Sequence, residues 1–110
     1  MDAGPGSALL TLRTFYHTLR ISIPTVMEGL IGHTSLARCD ARLTDWAQTL
    51  VKITRTTLTV AGQHHIPKEP CIVMSNHLSL CDVPLLYAAL PDGVRLRMIA
   101  KAELFRVPIW

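Results

Sequence analysis

His77 and Asp82 are the residues of this chain whose types and spacing most clearly allow chemistry. They lie in Ser75-Asn76-His77-Leu78-Ser79-Leu80-Cys81-Asp82, with four residues between them. A histidine side chain carries protons near neutral pH, and a carboxylate can fix its tautomer. On one continuous helix this offset would set the two side chains about 140° apart. Across a loop-to-helix junction they can converge. Asp82 would then accept a hydrogen bond from one ring nitrogen and leave the other facing outward as a general base. That is the orienting half of a Ser-His-Asp arrangement without its serine, so the nucleophile would be a hydroxyl on the substrate. The same residues also read as helix caps. Ser79-Leu80-Cys81-Asp82 is S-x-x-D before an apolar helix, a capping-box-like start with Asp in place of Glu. On residue types alone, both readings stand.

The elements that must position this pair follow from periodicity. Cys71 to Ser75 reads as a buried strand and Ser79 to Leu90 as a helix ended by Pro91-Asp92-Gly93. Val94 to Ala100 reads as a further strand, and β-branched Thr56-Thr57-Leu58-Thr59-Val60 as an earlier one. Lys101 to Trp110 is a loop or short helix containing Pro108. The strand-helix-strand unit predicts a parallel pair with a right-handed crossover. His77 would sit at the carboxyl end of a strand and above a helix N-terminus, where crevices attract anions and substrates.

Two helices precede this unit. Leu9, Leu12, Tyr16, Leu19, Ile23, Val26 and Leu30 form one apolar stripe at helical spacing, with Arg13, His17 and Arg20 on the other side. Pro24 should kink or divide that helix. Residues 1–7 look like a loose leader. A second helix is expected to start after Thr34-Ser35, with Ser35 as N-cap. Leu36, Leu43, Trp46, Leu50 and Ile53 give its apolar side; Arg38, Asp40, Arg42, Asp45 and Lys52 give its polar side. The predicted fold class is thus α/β, a two-helix hairpin (residues 1–55) turning near Gly32-His33, followed by a mostly parallel β-βαβ unit (residues 56–110). A sheet of three strands with one covering helix leaves edges and a face exposed, so the chain reads as the front part of a larger domain.

Composition narrows the classes. The 110 residues are 49% hydrophobic and 17% charged, with mean hydropathy +0.30, which argues against a disordered chain. Net charge is +3, which suits an anionic membrane surface or phosphorylated substrates as well as nucleic acid. Aromatic residues make up only 5%, and no basic stretch is interleaved with them, against a nucleic-acid platform. No signal peptide is evident and no run of 18 apolar residues exists. The odd set Cys39, Cys71 and Cys81, without CxxC, speaks against a disulfide framework. Cys71, Cys81, His64, His65 and His77 lack compact zinc-ligand spacing, so no metal is expected. Cys81 is more simply a buried structural thiol than a nucleophile, and His64-His65 an exposed turn. Trp46 and Trp110 read as core or interface anchors. The first helix either packs on the domain or, with the second, lies in a membrane interface with Arg13 and Arg20 toward headgroups.

Asn76-His77-Leu78-Ser79-Leu80-Cys81-Asp82 resembles the NHxxxxD block of the glycerolipid acyltransferases, particularly the 1-acylglycerol-3-phosphate (lysophosphatidic acid) acyltransferases. Gly62-Gln63-His64-His65-Ile66-Pro67, with the strand before it, resembles the G-x-x-x-(I/L)-P connection that leads into that block. Lys101-Ala102-Glu103-Leu104-Phe105-Arg106-Val107-Pro108 resembles the start of the family's K-x-E-L-x-x-x-P-x-x-G segment. Order and spacing fit across residues 56–110; the N-terminal helices resemble the family's membrane-associating helices only in character.

The resemblance implies a function. His77 would deprotonate the free hydroxyl of an acylglycerol phosphate for attack on acyl-CoA or acyl-carrier protein. Asp82 would orient His77, while Asn76, Ser79, Lys101 and Glu103 would bind substrate or support the loop. Acyl-CoA or acyl-carrier protein is a co-substrate, and no separate cofactor is implied. The implied partners are lysophosphatidic acid and a membrane surface, with the protein peripheral on the cytoplasmic face, and the implied pathway is phospholipid biosynthesis. Other acceptors, such as glycerol 3-phosphate or another lysophospholipid, remain within the class. A non-catalytic membrane-binding module is the reading from a different class. The family's later arginine-bearing blocks, which help bind the acceptor phosphate, have no match among these residues; Arg95, Arg97 and Arg106 are nearby cations outside those blocks.

Overall fold

The computed structural model describes residues 5–91 and 93–106. Three helices run in chain order: α1 (Pro5–Leu30), α2 (Leu36–Ile53) and α3 (Asp82–Ala89). Short 3-10 turns occupy Gln63–His65 and Ala102–Arg106. Val107 to Trp110, with Pro108 and Trp110, lie outside the described residues, as do Met1 to Gly4 of the expected leader and Asp92 of the expected helix end.

The α/β expectation is overturned. Among the described residues there is no strand and no sheet. Thr56–Val60, Cys71–Ser75 and Val94–Ala100 have the residue types of strands, but a strand exists only when a neighbour completes its hydrogen-bond ladder. These three segments do not pair with one another. Cys71–Ser75, expected to be buried, is exposed along its whole length, with Ile72 85%, Val73 51% and Met74 90% accessible. Successive side chains of an extended chain point to opposite sides. Exposure at consecutive positions therefore means that neither side has a covering layer.

The helices α1 and α2 do pack. Trp46 meets Thr18, Arg42 meets Thr25 and Glu28, Arg38 meets Glu28, and Arg20 meets Asp45. Rising numbers on one helix meet falling numbers on the other, so the pair is antiparallel. The connection is specified at α1's end. The His33 amide bonds the Glu28 carbonyl at 2.9 Å and the Gly32 amide bonds Gly29 at 3.2 Å, with Gly32 at φ 72°. This is the Schellman arrangement, in which a residue without Cβ takes the left-handed position. The end of α2 repeats it. Thr56 bonds Val51 and Arg55 bonds Lys52, both at 3.1 Å, but here the left-handed residue is Arg55 at φ 52°. Ser35 occupies the N-cap position of α2 and makes no side-chain cap bond. Pro24 does not divide α1, which runs through it to Leu30.

The apolar stripe of α1 points away from α2. Leu9, Leu12, Tyr16, Ile23 and Leu30 are 60%, 66%, 62%, 54% and 83% exposed. Phe15 and Met27 widen the same surface. The hydrogen bonds toward α2 come from threonines and charged side chains. Thr18 donates its hydroxyl to the Thr14 carbonyl (2.9 Å) and accepts from the Trp46 indole N–H at 3.0 Å. Thr25 donates to the Ile21 carbonyl (2.7 Å) and accepts from Arg42 at 3.0 Å. Back-bonding of this kind lets threonine sit inside a helix with its hydroxyl satisfied. Glu28 completes the seam, taking both guanidinium nitrogens of Arg42 (2.8 and 3.0 Å) and one of Arg38 (2.9 Å).

The small core centres on α2, where Ala47 and Leu50 are buried. The helix α3 packs on α2 as α1 does, and contributes the buried Pro84. The Gln63 side-chain amide donates to the Ala89 carbonyl at 2.7 Å, so the Gln63–His65 turn satisfies one of the carbonyls left open at the end of α3. Among the described residues no helix is long and apolar enough to cross a membrane.

Candidate active site

His77 and Asp82 converge. His77 Nδ1 lies 3.1 Å from Asp82 Oδ2. The same carboxylate oxygen accepts the backbone N–H of Leu78 at 2.7 Å and of Ser79 at 2.9 Å. The junction makes this possible. The helix α3 starts at Asp82, three residues later than Ser79, and residues 79–81 form a turn in which the Asp82 amide bonds the Ser79 carbonyl at 3.1 Å. The chain before that turn doubles back over the helix start, which brings His77 over Asp82.

The S-x-x-D reading is met in part. Asp82 reaches back to the Ser79 amide, as the acid of a capping box does, and Ser79 Oγ accepts the Cys81 amide at 3.2 Å. The assigned N-cap is Cys81, not Ser79, and its side chain makes no cap bond.

The electrostatics favour a charged Asp82. The backbone amides of Ser79 and Leu78, and after them the His77 ring, hold its carboxyl below the usual carboxylate range, against a smaller opposing effect of burial. An ionised acceptor at Nδ1 places the ring proton there. Nε2 is then left with its lone pair, the form a general base needs. The histidine side chain is 62% exposed and Asp82 28%, so the base is open to a ligand while the carboxylate that orients it is sheltered.

The remaining expected site residues are more loosely placed. Ser79 is part of the turn, through Oγ and its amide. Asn76 is exposed beside His77. Lys101 and Glu103 are exposed at the start of the Ala102–Arg106 turn, and neither shares a hydrogen bond or ion pair with His77 or Asp82. Among the described residues no cluster of His, Cys, Asp and Glu could hold a metal ion. Cys81 and Cys71 are exposed thiols, where a buried structural role was expected for Cys81.

Two contributors had little signal in the sequence. The Leu78 amide is the shortest bond to Asp82, and main-chain donors carry no side-chain signature. The Gln63 tie to α3 links residues 26 apart through an ordinary polar side chain.

With this geometry in view, comparison with known proteins bears on the second half of the chain. Residues 57–110 match the acyltransferase family. The matched segment contains His77, Asp82, Asn76, Ser79, Lys101 and Glu103, and it begins just after α2 ends. The match supports acyl transfer, in general terms, as the chemistry of this part of the chain. No curated protein and no solved structure matches the chain.

Proposed function

We propose that this protein moves a fatty acyl group from acyl-CoA or acyl-carrier protein to the free hydroxyl of 1-acylglycerol 3-phosphate. The product is phosphatidic acid, a step of phospholipid biosynthesis. One observation carries this reading: His77 Nδ1 is held at 3.1 Å by a carboxylate itself fixed by two backbone amides, within the acyltransferase segment. In this mechanism Nε2 of His77 takes the proton of the acceptor hydroxyl. The oxygen attacks the thioester carbonyl, the carbon–sulfur bond breaks, and the imidazolium returns its proton to the leaving thiolate. Asp82 stabilises the imidazolium while it exists. Lys101 supplies positive charge for the acceptor phosphate, and Asn76, Ser79 and Glu103 bind substrate or support the loop.

The protein works, in this proposal, as a peripheral protein on the cytoplasmic face of a membrane. The outward apolar stripe of α1 supports that placement, because a surface of this kind on an amphipathic helix seats in the headgroup–acyl boundary. The same stripe also favours the second reading, a membrane-binding module without catalysis.

The two separate on one experiment. Transfer of radiolabelled acyl groups from acyl-CoA to lysophosphatidic acid is measured with the natural full-length protein on lipid vesicles, with and without His77→Ala. Loss of about 10²–10⁴-fold in turnover with vesicle binding retained supports catalysis by His77. Wild-type protein silent with both acyl-CoA and acyl-carrier protein, yet bound to vesicles, supports the module.

A further inference from the structure

The two ends of one turn of α2 hold different parts of the molecule. Arg42 pairs with Glu28 of α1. Asp40, two residues earlier and therefore about 200° around the helix, faces the other way. Its carboxylate takes Arg97 fork to fork, Oδ1 to Nη1 at 2.7 Å and Oδ2 to Nη2 at 3.2 Å, across 57 residues of sequence. Arg95 Nε stands 3.7 Å from the same Oδ2. Asp40 is the sheltered member: its side chain is 22% exposed, against 52% for Arg97 and 67% for Arg95.

Residues 94–100 have little else to hold them. Among the described residues they make no strand ladder, and the Tyr87 hydroxyl reaches the Leu96 carbonyl only at 3.5 Å. Their remaining backbone bond is local, from the Val94 amide to Pro91 at 3.2 Å. The bidentate pair is thus the strongest specific contact between this segment and the helices, and bidentate geometry fixes orientation as well as distance. Lys101 follows Arg97 by four residues.

We propose that Asp40 is a positioning residue: through Arg97 it fixes the chain that carries Lys101, and so couples the seating of the helical hairpin to the acceptor-binding end of the site. The link to acceptor binding rests on the function proposed above; the latch itself does not.

The test is made on the full chain with vesicles, using Asp40→Asn, Asp40→Glu and Arg97→Gln. Amide hydrogen exchange of residues 94–101 is expected to quicken about tenfold in Asp40→Asn and Arg97→Gln, with α1 and α2 unchanged. Asp40→Glu, which keeps the charge, should recover part of the protection. In acyl transfer, KM for the acceptor should rise about five- to tenfold with kcat little altered. Unchanged exchange in both neutral variants overturns the latch. Faster exchange throughout α2 also overturns it, since Asp40 would then merely stabilise its own helix. Altered exchange with KM unmoved refutes the coupling to the acceptor. A wild type without acyl transfer refutes the proposed function instead, while the exchange arm still judges the latch.

Discussion

Asp82 directs one oxygen at three donors, two of them main-chain amides that no side-chain change short of proline removes. Its role in the pair is therefore best probed by removing charge and keeping shape. Asp82→Asn leaves an oxygen for the Leu78 and Ser79 amides but takes away the ion that stabilises an imidazolium. In the acyl-transfer assay it should cost about 10²–10⁴-fold in kcat, with circular dichroism unchanged. The pair itself was legible in the sequence, since a histidine and an aspartate flank a turn before an apolar helix. Its supporting amides were not, because every residue but proline has one and only the folded turn decides where it points. The late start of α3 was hidden for a related reason. Ser79 and Asp82 fit a capping box, but the Asp82 amide closes a tighter turn onto the Ser79 carbonyl.

Helices and their ends carry two further predictions. Arg55 adopts a left-handed conformation that costs a residue with a Cβ about 1–2 kcal/mol. Arg55→Gly should therefore raise stability by about 0.5–1 kcal/mol after the added freedom of the unfolded chain is counted, read as a higher thermal midpoint. Glu28 contributes to stability on the acid side. Hydrogen bonding to Arg42 first, and then the attraction of Arg38, hold its carboxyl below the usual range despite partial burial. Between its folded and unfolded values the unfolded chain binds more protons, so stability there rises with pH. The contribution is complete above the ordinary carboxylate range and is lost as pH falls through the lowered folded value. Glu28→Gln should shrink that acid loss in a pH titration of helix content and lower stability at neutral pH. Periodicity marked the α1 stripe, and on α2 it marked the buried Leu50 but also Leu36, which is 66% exposed, and it passed over the buried Ala47. It could not say which way α1 faces, because spacing groups residues on one side of a helix without naming what covers that side. For the expected strands it was the reverse. Residue types marked three extended segments, but pairing is a property of neighbours, and these segments do not pair with one another.

The whole molecule is open. Its radius of gyration is 15.4 Å, where a compact domain of this length would have about 13 Å. Its accessible surface is 9153 Å², where about 6,100 Å² is usual for a folded monomer of this mass. Large apolar residues stand exposed on α1 and along residues 72–80. Exposed apolar surface on this scale marks an interaction face. If the face of α1 seats in a bilayer, Leu12→Glu with Ile23→Glu should reduce co-sedimentation with anionic vesicles by at least about tenfold, as each side chain forfeits about 1.5–3 kcal/mol of burial. Equal sedimentation of variant and wild type would place the membrane contact elsewhere.

The threonine seam has a consequence for which helices can pair. Thr18 and Thr25 have already given their hydroxyl protons to their own backbone, and Glu28 has none to give, so across the seam α1 only accepts. The helix α2 answers with donors, the Trp46 indole and the guanidinium groups of Arg38 and Arg42. Among the described residues the exposed Arg20–Asp45 pair runs in the opposite sense. Two copies of α1 brought together on this side would set lone pair against lone pair and carboxylate against carboxylate. The seam is thereby complementary within the chain, acceptors on α1 meeting donors on α2, much as a socket takes a plug.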